Sequence, residues 1–409
     1  MSETVKVTFS PKFMSSFKCI GSACEDTCCA GWIVNIDQQT FEKYEKINDP
    51  ELTPKLRNSI IKKTPVDGGH QFASIKMSST GNCPFLDPEK MCSIQRKLGP
   101  SFLSQTCDVY PRVRSSFNDH YRFSVTLSCP EAARLCVGAS DAMDLQELPA
   151  DSDDHKKILE LFPNSIEFPL SPEDFTRKMI TNVINTFIKD LSLPIETTII
   201  IYGFLAQKFL SSEAIANPHA PPSMEALLKY ANELKTALSV ADLTHPAAIL
   251  LKLRILIKIA VMRTYGMGSR FGGIVQTASG ALFKGTPDFS HASDNYQRFL
   301  IEKFRPVDAK NPFAIRNYVL NYLFTNHTFV SGDPFKAFQG LAFRVGVMKL
   351  LLIGLAGSKD DEISIADYVT IISAVSRAFD HDSVIGDNIC AVIDQIEPNS
   401  ISATALLIQ

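Results

Sequence analysis

Charge of one sign is what this 409-residue chain most clearly lacks. Its 41 basic and 44 acidic residues nearly cancel, to a formal −3, which removes the electrostatic case for nucleic acid or an anionic membrane surface as partner. A long uncharged apolar run is also missing. The longest, Gly340 to Ala356, carries Arg344 and Lys349 and is broken by glycines, so it reads as a buried helix and not as a membrane span. The opening residues Met1 to Ser10 show no basic region followed by an apolar one; no secretory leader is expected, and the expected location is cytoplasmic. The glycine-rich strand–turn–helix fingerprint of a Rossmann fold is absent, since Gly266-Met267-Gly268 and Gly272-Gly273 read as isolated glycines of a loop. None of the eight histidines stands in an H-E-x-x-H spacing, which leaves hydrolytic zinc chemistry without support.

Cysteine is nearly missing from the last two thirds, where Cys390 stands alone, and crowded into the first, which holds the other nine between Cys19 and Cys136. Small buried hydrophobes would be scattered, and Cys136 and Cys390 fit that description. The rest are set among polar turn residues: Cys19, Cys24, Cys28 and Cys29 in one run, then Cys83, Cys92, Cys107 and Cys129. In a reducing compartment such a set favours metal or redox chemistry over disulfides. Short loops cost little entropy to close, so thiolates at these separations can converge on a soft metal. Zinc knuckles normally use C-x2-C pairs, and none occurs in this set. Iron–sulfur centres accept more varied spacings. Three readings stay open from the residues alone: an iron–sulfur centre, a structural zinc site, and a thiol sensor built on adjacent Cys28 and Cys29.

The first part, to about residue 142, reads as loop-rich. Asp37 is expected to cap a helix through Phe41, Tyr44 and Ile47, and a second helix is expected from Thr53 with Leu56, Ile60 and Ile61 on one face. Phe72 to Met77 alternates like a strand. Val113 to Phe117 and Tyr121 to Leu127 read as a hairpin, and Pro130 opens a helix to Cys136. Residues 143–172 form a Pro/Asp/Ser-bearing connector. From 173 to 409 helical periodicity dominates, with an apolar stripe at Phe175, Met179, Ile180, Val183, Ile184, Phe187 and Ile188 and helices near 194–210, 227–238, 246–264, 292–303, 313–327, 333–356, 363–379 and 383–395. The expected fold is mainly α: a cysteine-cluster module with a small hairpin, followed by an all-α domain.

The residues C-I-G-S-A-C-E-D-T-C-C-A-G-W from Cys19, N-C-P-F-L-D-P-E-K-M-C-S-I-Q-R-K-L-G from Asn82, L-S-Q-T-C-D-V-Y-P-R from Leu103 and S-C-P-E-A-A-R-L from Ser128 closely resemble the flagellin lysine-N-methylase family. That family is related to a broader group of cysteine-cluster proteins described as zinc- or iron-chelating. The resemblance implies methylation of flagellin lysine ε-amino groups by S-adenosylmethionine, with a [4Fe-4S] cluster taking part. It makes Cys19, Cys24, Cys28, Cys29, Cys83, Cys92, Cys107 and Cys129 the candidate metal ligands. The radical-type C-x3-C-x2-C spacing is absent, because Cys24-x3-Cys28 is followed at once by Cys29. The alternative is a metal-chelating or docking module without transferase activity.

Methyl transfer to lysine needs a neutral amine, against an ordinary pKa of about 10.4, and gains from aromatic faces that stabilise sulfonium and methylammonium. Asp108 and Tyr110 closely follow Cys107 and are the candidate base or positioning residues, read alternatively as a helix cap and a core aromatic. Trp32, the only tryptophan, and Arg112 are the donor-binding candidates, the first for its ring and the second as partner to a carboxylate. A core ring and a hairpin surface are their plainer readings. His70, after Gly68-Gly69, is placed in a turn within reach of a site. The helical region is expected to supply part of the donor pocket and the surface that docks flagellin.

Overall fold

The computed structural model describes residues 7–63, 72–117, 120–149, 152–162, 167–168, 172–210, 222–239, 246–264, 269–326, 333–381, 383–395, 397 and 400–408. His70 and Gly266 to Gly268 lie outside them.

Alternating side chains near the start form strand β1 (Val7–Pro11), and three short strands follow, β2 (Asn35–Ile36), β3 (Ile60–Lys62) and β4 (Ala73–Ile75). The expected hairpin is β5 (Arg112–Phe117) and β6 (His120–Val125), antiparallel with Val113 opposite Ser124. Two more strands, β7 (Leu145–Leu148) and β8 (Glu167–Phe168), fall in the 143–172 span and complete a five-stranded sheet ordered β7-β1-β6-β5-β8. The pairs β1–β6 and β5–β8 are parallel and the others antiparallel. Strands β2, β4 and β3 make a separate small sheet.

That small sheet and the helices Gln38–Glu45 and Leu52–Ser59 enclose a core of Val34, Ile36, Tyr44, Leu52, Leu56, Phe85 and Ile94. Asp37 caps the first helix through its side chain to the Thr40 N–H at 2.8 Å, as its sequence position suggests. Cys83 belongs to this core, and Cys29, Cys92 and Cys107 pack against it. These four thiols therefore line the wall of an apolar cluster, whereas Cys19 and Cys28 are exposed.

The larger core is helical. Helix Pro334–Ser358 runs through it with nearly every side chain buried, and it is the one described helix long and apolar enough to cross a membrane. Since 89% of its apolar window is covered by the rest of the fold, it is a core helix, as its charged and glycine residues suggest. Helix Ala314–Thr325 joins this core to the sheet side. Asn321 accepts from Ser124 Oγ at 2.7 Å and donates to the Val125 carbonyl at 3.0 Å, while Asn317, one turn earlier, donates to the Cys136 and Ala139 carbonyls, each at 2.8 Å. Buried amides with all partners in place fix register more sharply than apolar contact does.

Several expectations are corrected. Ile60 and Ile61 leave the second helix, which ends at Ser59, and pair with Ile75 and Ser74; two β-branched residues gain more from a strand partner than from another helical turn. Gly272 and Gly273 lie inside helix Ser269–Phe283 and not in a loop, because packing of that helix on Pro334–Ser358 overrides the glycine penalty. Phe175 stands half exposed although it belongs to the sequence stripe, whereas Met179 through Ile188 on that stripe are buried. The helix expected at 292–303 starts at Phe289 under an Asp288 cap and passes into a π-helical turn, Leu300–Phe304.

Two glycines make a paired test of this packing. A Cβ on Gly346 would stand 2.3 Å from the Leu407 carbonyl oxygen, whereas one on Gly273 meets nothing within 4 Å. Thermal denaturation is expected to show Gly346→Ala destabilised by about 1–3 kcal/mol and Gly273→Ala stabilised by about 0.5–1 kcal/mol.

Candidate active site at the cysteine loop

The cysteine segments are laced together by backbone bonds. The Cys83 N–H donates to the Cys29 carbonyl at 2.8 Å, Ala30 bridges Asn82, and Leu86 bridges Cys92. Gly31 takes a φ of +81°, the left-handed turn that glycine adopts without a Cβ clash, two residues after Cys29. Cys92 and Cys129 stand just before the helices Ser93–Leu98 and Pro130–Val137, and Cys107 lies in the first turn of Gln105–Val109, whose cap is Ser104.

All ten cysteines are free thiols. Cys29 is hydrogen-bonded to both Cys28 and Cys92, so its proton is held and its pKa is driven up, while those bonds pull Cys28 and Cys92 down. Burial pushes Cys83 up to about 11 and Cys107 up to about 12, and the charges of Cys92 and Cys28 reach both. Burial likewise raises Cys129 to about 12, within electrostatic reach of Cys24, Cys19 and Cys28. The eight candidate ligands thus form two neighbouring groups, Cys29, Cys92, Cys83 and Cys107 on one side and Cys19, Cys24 and Cys129 on the other, with Cys28 felt by both. Among the described residues no three His, Cys, Asp or Glu side chains are arranged to hold a single ion. Thiols are, by donor chemistry, ligands for soft metals.

Beside the thiols lies a cavity of about 430 Å³ lined by Trp32, Tyr110, Arg112, Thr126 and His381 among others. Trp32 is held by its indole N–H, which donates to the Cys28 carbonyl at 2.7 Å. Its ring meets Tyr110 at 5.2 Å and His381 at 5.1 Å between centroids, and the latter two rings are 6.0 Å apart. Ser128 links them, its hydroxyl lying 3.0 Å from Tyr110 Oη and 2.8 Å from His381 Nε2. Burial pushes His381 below the ordinary histidine value, with Arg377 adding to the shift and Asp380 opposing it, which favours the neutral imidazole. Burial also drives the Tyr110 hydroxyl up, so it stays protonated.

Behind the rings Arg377, from helix Ile365–Phe379, reaches into the cysteine segment. It donates to the carbonyls of Thr27, Ala30 (3.2 Å) and Ser128 (3.0 Å) and to Tyr110 Oη (3.3 Å). A second tie is the ion pair of Arg270 with Asp26 at 3.0 Å. The helical region therefore closes the pocket that the cysteine segment opens.

The family profile described as FliB lysine N-methylase C-terminal domain matches residues 181–407, over half of the chain. The chain belongs to the FliB lysine N-methylase family. Flagellar biosynthetic protein FliU of Salmonella muenchen is 37% identical over 140 residues, 34% of this chain and 80% of that one. The lysine-N-methylases of Salmonella typhimurium strain LT2 and Salmonella choleraesuis strain SC-B67 are each 37% identical over 140 residues, which cover 34% of this chain and 34% of theirs. The match spans about a third of the length of these two relatives. No solved structure matches.

In this lysine N-methylase family member, three of the four non-cysteine candidates, Trp32, Tyr110 and Arg112, come together at one cavity. Asp108 does not join them: it is exposed on helix Gln105–Val109 and is not part of the lining. Arg112 lies over the Phe17 ring at 5.7 Å. Sequence reading missed His381 and Arg377, which sit about 250 positions from the last clustered cysteine. The only signal was R-A-F-D-H at the end of an otherwise apolar helix, polar groups where a core helix has little use for them.

Two measurements follow from this geometry. Arg377→Met leaves three carbonyls without their donor in a nearly buried place, a loss of about 2–4 kcal/mol in unfolding free energy, and Arg377→Lys restores charge without the planar fork and recovers only part of it. For His381 the folded pKa lies below the unfolded 6.5, so its contribution to stability is complete above pH 6.5 and falls away as pH drops through the folded value. Denaturation of His381→Asn against pH is expected to show a flatter acid limb than the parent chain.

Proposed function

We propose that this chain is a protein lysine N-methyltransferase that methylates ε-amino groups of flagellin with S-adenosylmethionine as donor, and that transfer takes place in the Trp32–Tyr110–His381 pocket. The observation that supports this reading most is the set of three rings around one cavity beside the thiols, in a chain of this family. Aromatic faces attract both the sulfonium of the donor and the methylammonium of the product. The pocket also supplies what a lysine acceptor needs to lose its proton: a neutral imidazole, joined to a protonated tyrosine through the Ser128 hydroxyl. In this role His381 takes up the proton, Tyr110 positions the amine, and Trp32 offers its face to the cation. Arg112 serves as anchor for the donor carboxylate. Asp108 is given no contact with substrate.

The thiols Cys29, Cys92, Cys83 and Cys107, with Cys28 between the groups, are the residues we assign to a [4Fe-4S] cluster. Held by only three of these thiols, such a centre would supply Lewis-acid binding for the amino and carboxylate groups of the donor's methionine moiety. The name flagellar biosynthetic protein borne by one relative is the support for flagellin as substrate. A cytoplasmic location accords with free thiols throughout.

The test is anaerobic incubation of the iron-loaded chain with flagellin and methyl-labelled S-adenosylmethionine, read by mass spectrometry of the flagellin. Labelled methyl-lysine is expected, with kcat reduced about 10²-fold in His381→Ala and about 3- to 30-fold in Trp32→Ala. Absence of label from flagellin with iron bound would overturn the reading in favour of a metal-chelating module. Full activity in both variants would move the reaction elsewhere on the chain.

A further inference from the structure

The small sheet has two faces, and the outer one adjoins the aromatic pocket. Val34, Ile36, Ala73 and Ile75 turn inward to the core, and alternation sends their neighbours outward. Asn35 and Ile61 both stand opposite Ser74, on either side of β4, and directly opposed residues share a face. The Ile75 N–H donates to the Val34 carbonyl at 3.0 Å, which carries the β2–β4 register on and sets Ile33 opposite Lys76. Lys63 follows β3 on the same side and reaches across it, its Nζ donating to Asn35 Oδ1 at 2.9 Å. The outer face is thus Ile33, Asn35, Ser74, Lys76, Ile61 and Lys63.

Two properties set this face apart. Ile33 is 68% exposed, more than any other large hydrophobic among the described residues, and Ile61 is 51% exposed. A single exposed isoleucine is ordinary, but two on one face of a three-stranded sheet begin a patch. Strand spacing puts them about 12 Å apart, so an extended segment of about four residues reaches both. The second property is charge. Lys76 is exposed, and the bond from Lys63 goes to an uncharged amide. Strands β2, β3 and β4 contribute no carboxylate, so the face is cationic on a chain whose formal charge is −3. It also runs into the pocket: Asn35 belongs to the face and to the cavity lining, and Trp32 directly precedes Ile33.

We infer that this face seats the protein substrate, and that the segment it takes carries an apolar residue and a carboxylate close to the acceptor lysine. Ile33 and Ile61 cover the apolar side chain, Lys76 and Lys63 attract the carboxylate, and the lysine passes Asn35 into the cavity. Opposite charge steers the encounter and excludes basic segments, while burial of the two isoleucines supplies the hold. The inference rests on the methyl-transfer reading for the identity of the substrate as flagellin; the face itself is described without it.

Fluorescence anisotropy of labelled flagellin monomer, titrated with the full chain and no methyl donor, tests it. The parent chain is expected to bind, and Ile33→Ser combined with Ile61→Ser to raise Kd at least about tenfold. Lys76→Glu is expected to raise Kd about 3- to 10-fold at low salt, a difference that shrinks in about 0.5 M salt. Absence of binding by the parent chain, or an unchanged Kd in the folded double variant, would overturn the inference. So would a parent dimer that the double variant splits into monomers, which would assign the face to a second copy of the chain. Binding controlled by the isoleucine pair, in a chain that places no methyl label on flagellin, would overturn the methyl-transfer reading and leave the docking face standing. If circular dichroism shows the double variant unfolded, Ile33→Ser alone and Lys76→Glu carry the same test.

Discussion

One guanidinium holds two distant parts of the sequence at a single place. Arg377 is 8% exposed and meets the carbonyls of Thr27, Ala30 and Ser128 and the hydroxyl of Tyr110. The cysteine loop has little regular structure with which to fix itself, only a short 3-10 turn and isolated bridges. Carbonyls that would otherwise need water are gathered by a planar donor fork on a rigid helix, which is a task lysine cannot perform. The same contacts set Tyr110 against Trp32 and His381. The position of Tyr110 follows from this tie between helix and loop, and the Arg377 charge adds to the burial that lowers the His381 pKa.

The thiols and the rings divide the chemistry between them. Thiols of the small apolar core are partly desolvated, which raises Cys83 and Cys107, burial against the larger core raises Cys129, and hydrogen bonds from Cys29 work the other way on Cys28 and Cys92. The rings present π faces around a cavity that also holds the His381 imidazole. Asn321 docks the central strand β6 on the helical core, and Asn317 docks the end of helix Pro130–Val137 there.

Much of this was readable in the sequence, and the reasons differ by element. Long amphipathic helices were legible because burial repeats every three to four residues, as along Met179 to Ile188. The hairpin of β5 and β6 was legible from alternation about a polar turn. The cysteine cluster and its neighbours Trp32, Tyr110 and Arg112 were legible because they are close in sequence. What escaped was non-local. The five-stranded sheet depends on β1 and β7, whose pairing joins residues more than a hundred positions apart, and a two-residue strand such as β8 has no pattern of its own. His381 and Arg377 escaped for the same reason, since only the fold brings the end of a late helix to an early loop. Ile60, Ile61 and Gly273 show tertiary contacts overriding local preference.

The central claim is that this pocket places methyl groups on flagellin lysines. The most direct measurement is the mass of flagellin peptides from cells carrying the gene, cells lacking it, and cells lacking it but supplied with the His381→Ala form. Methyl-lysine is expected only in the first of the three. Its persistence in cells without the gene, or its full return with the substituted chain, would contradict the claim.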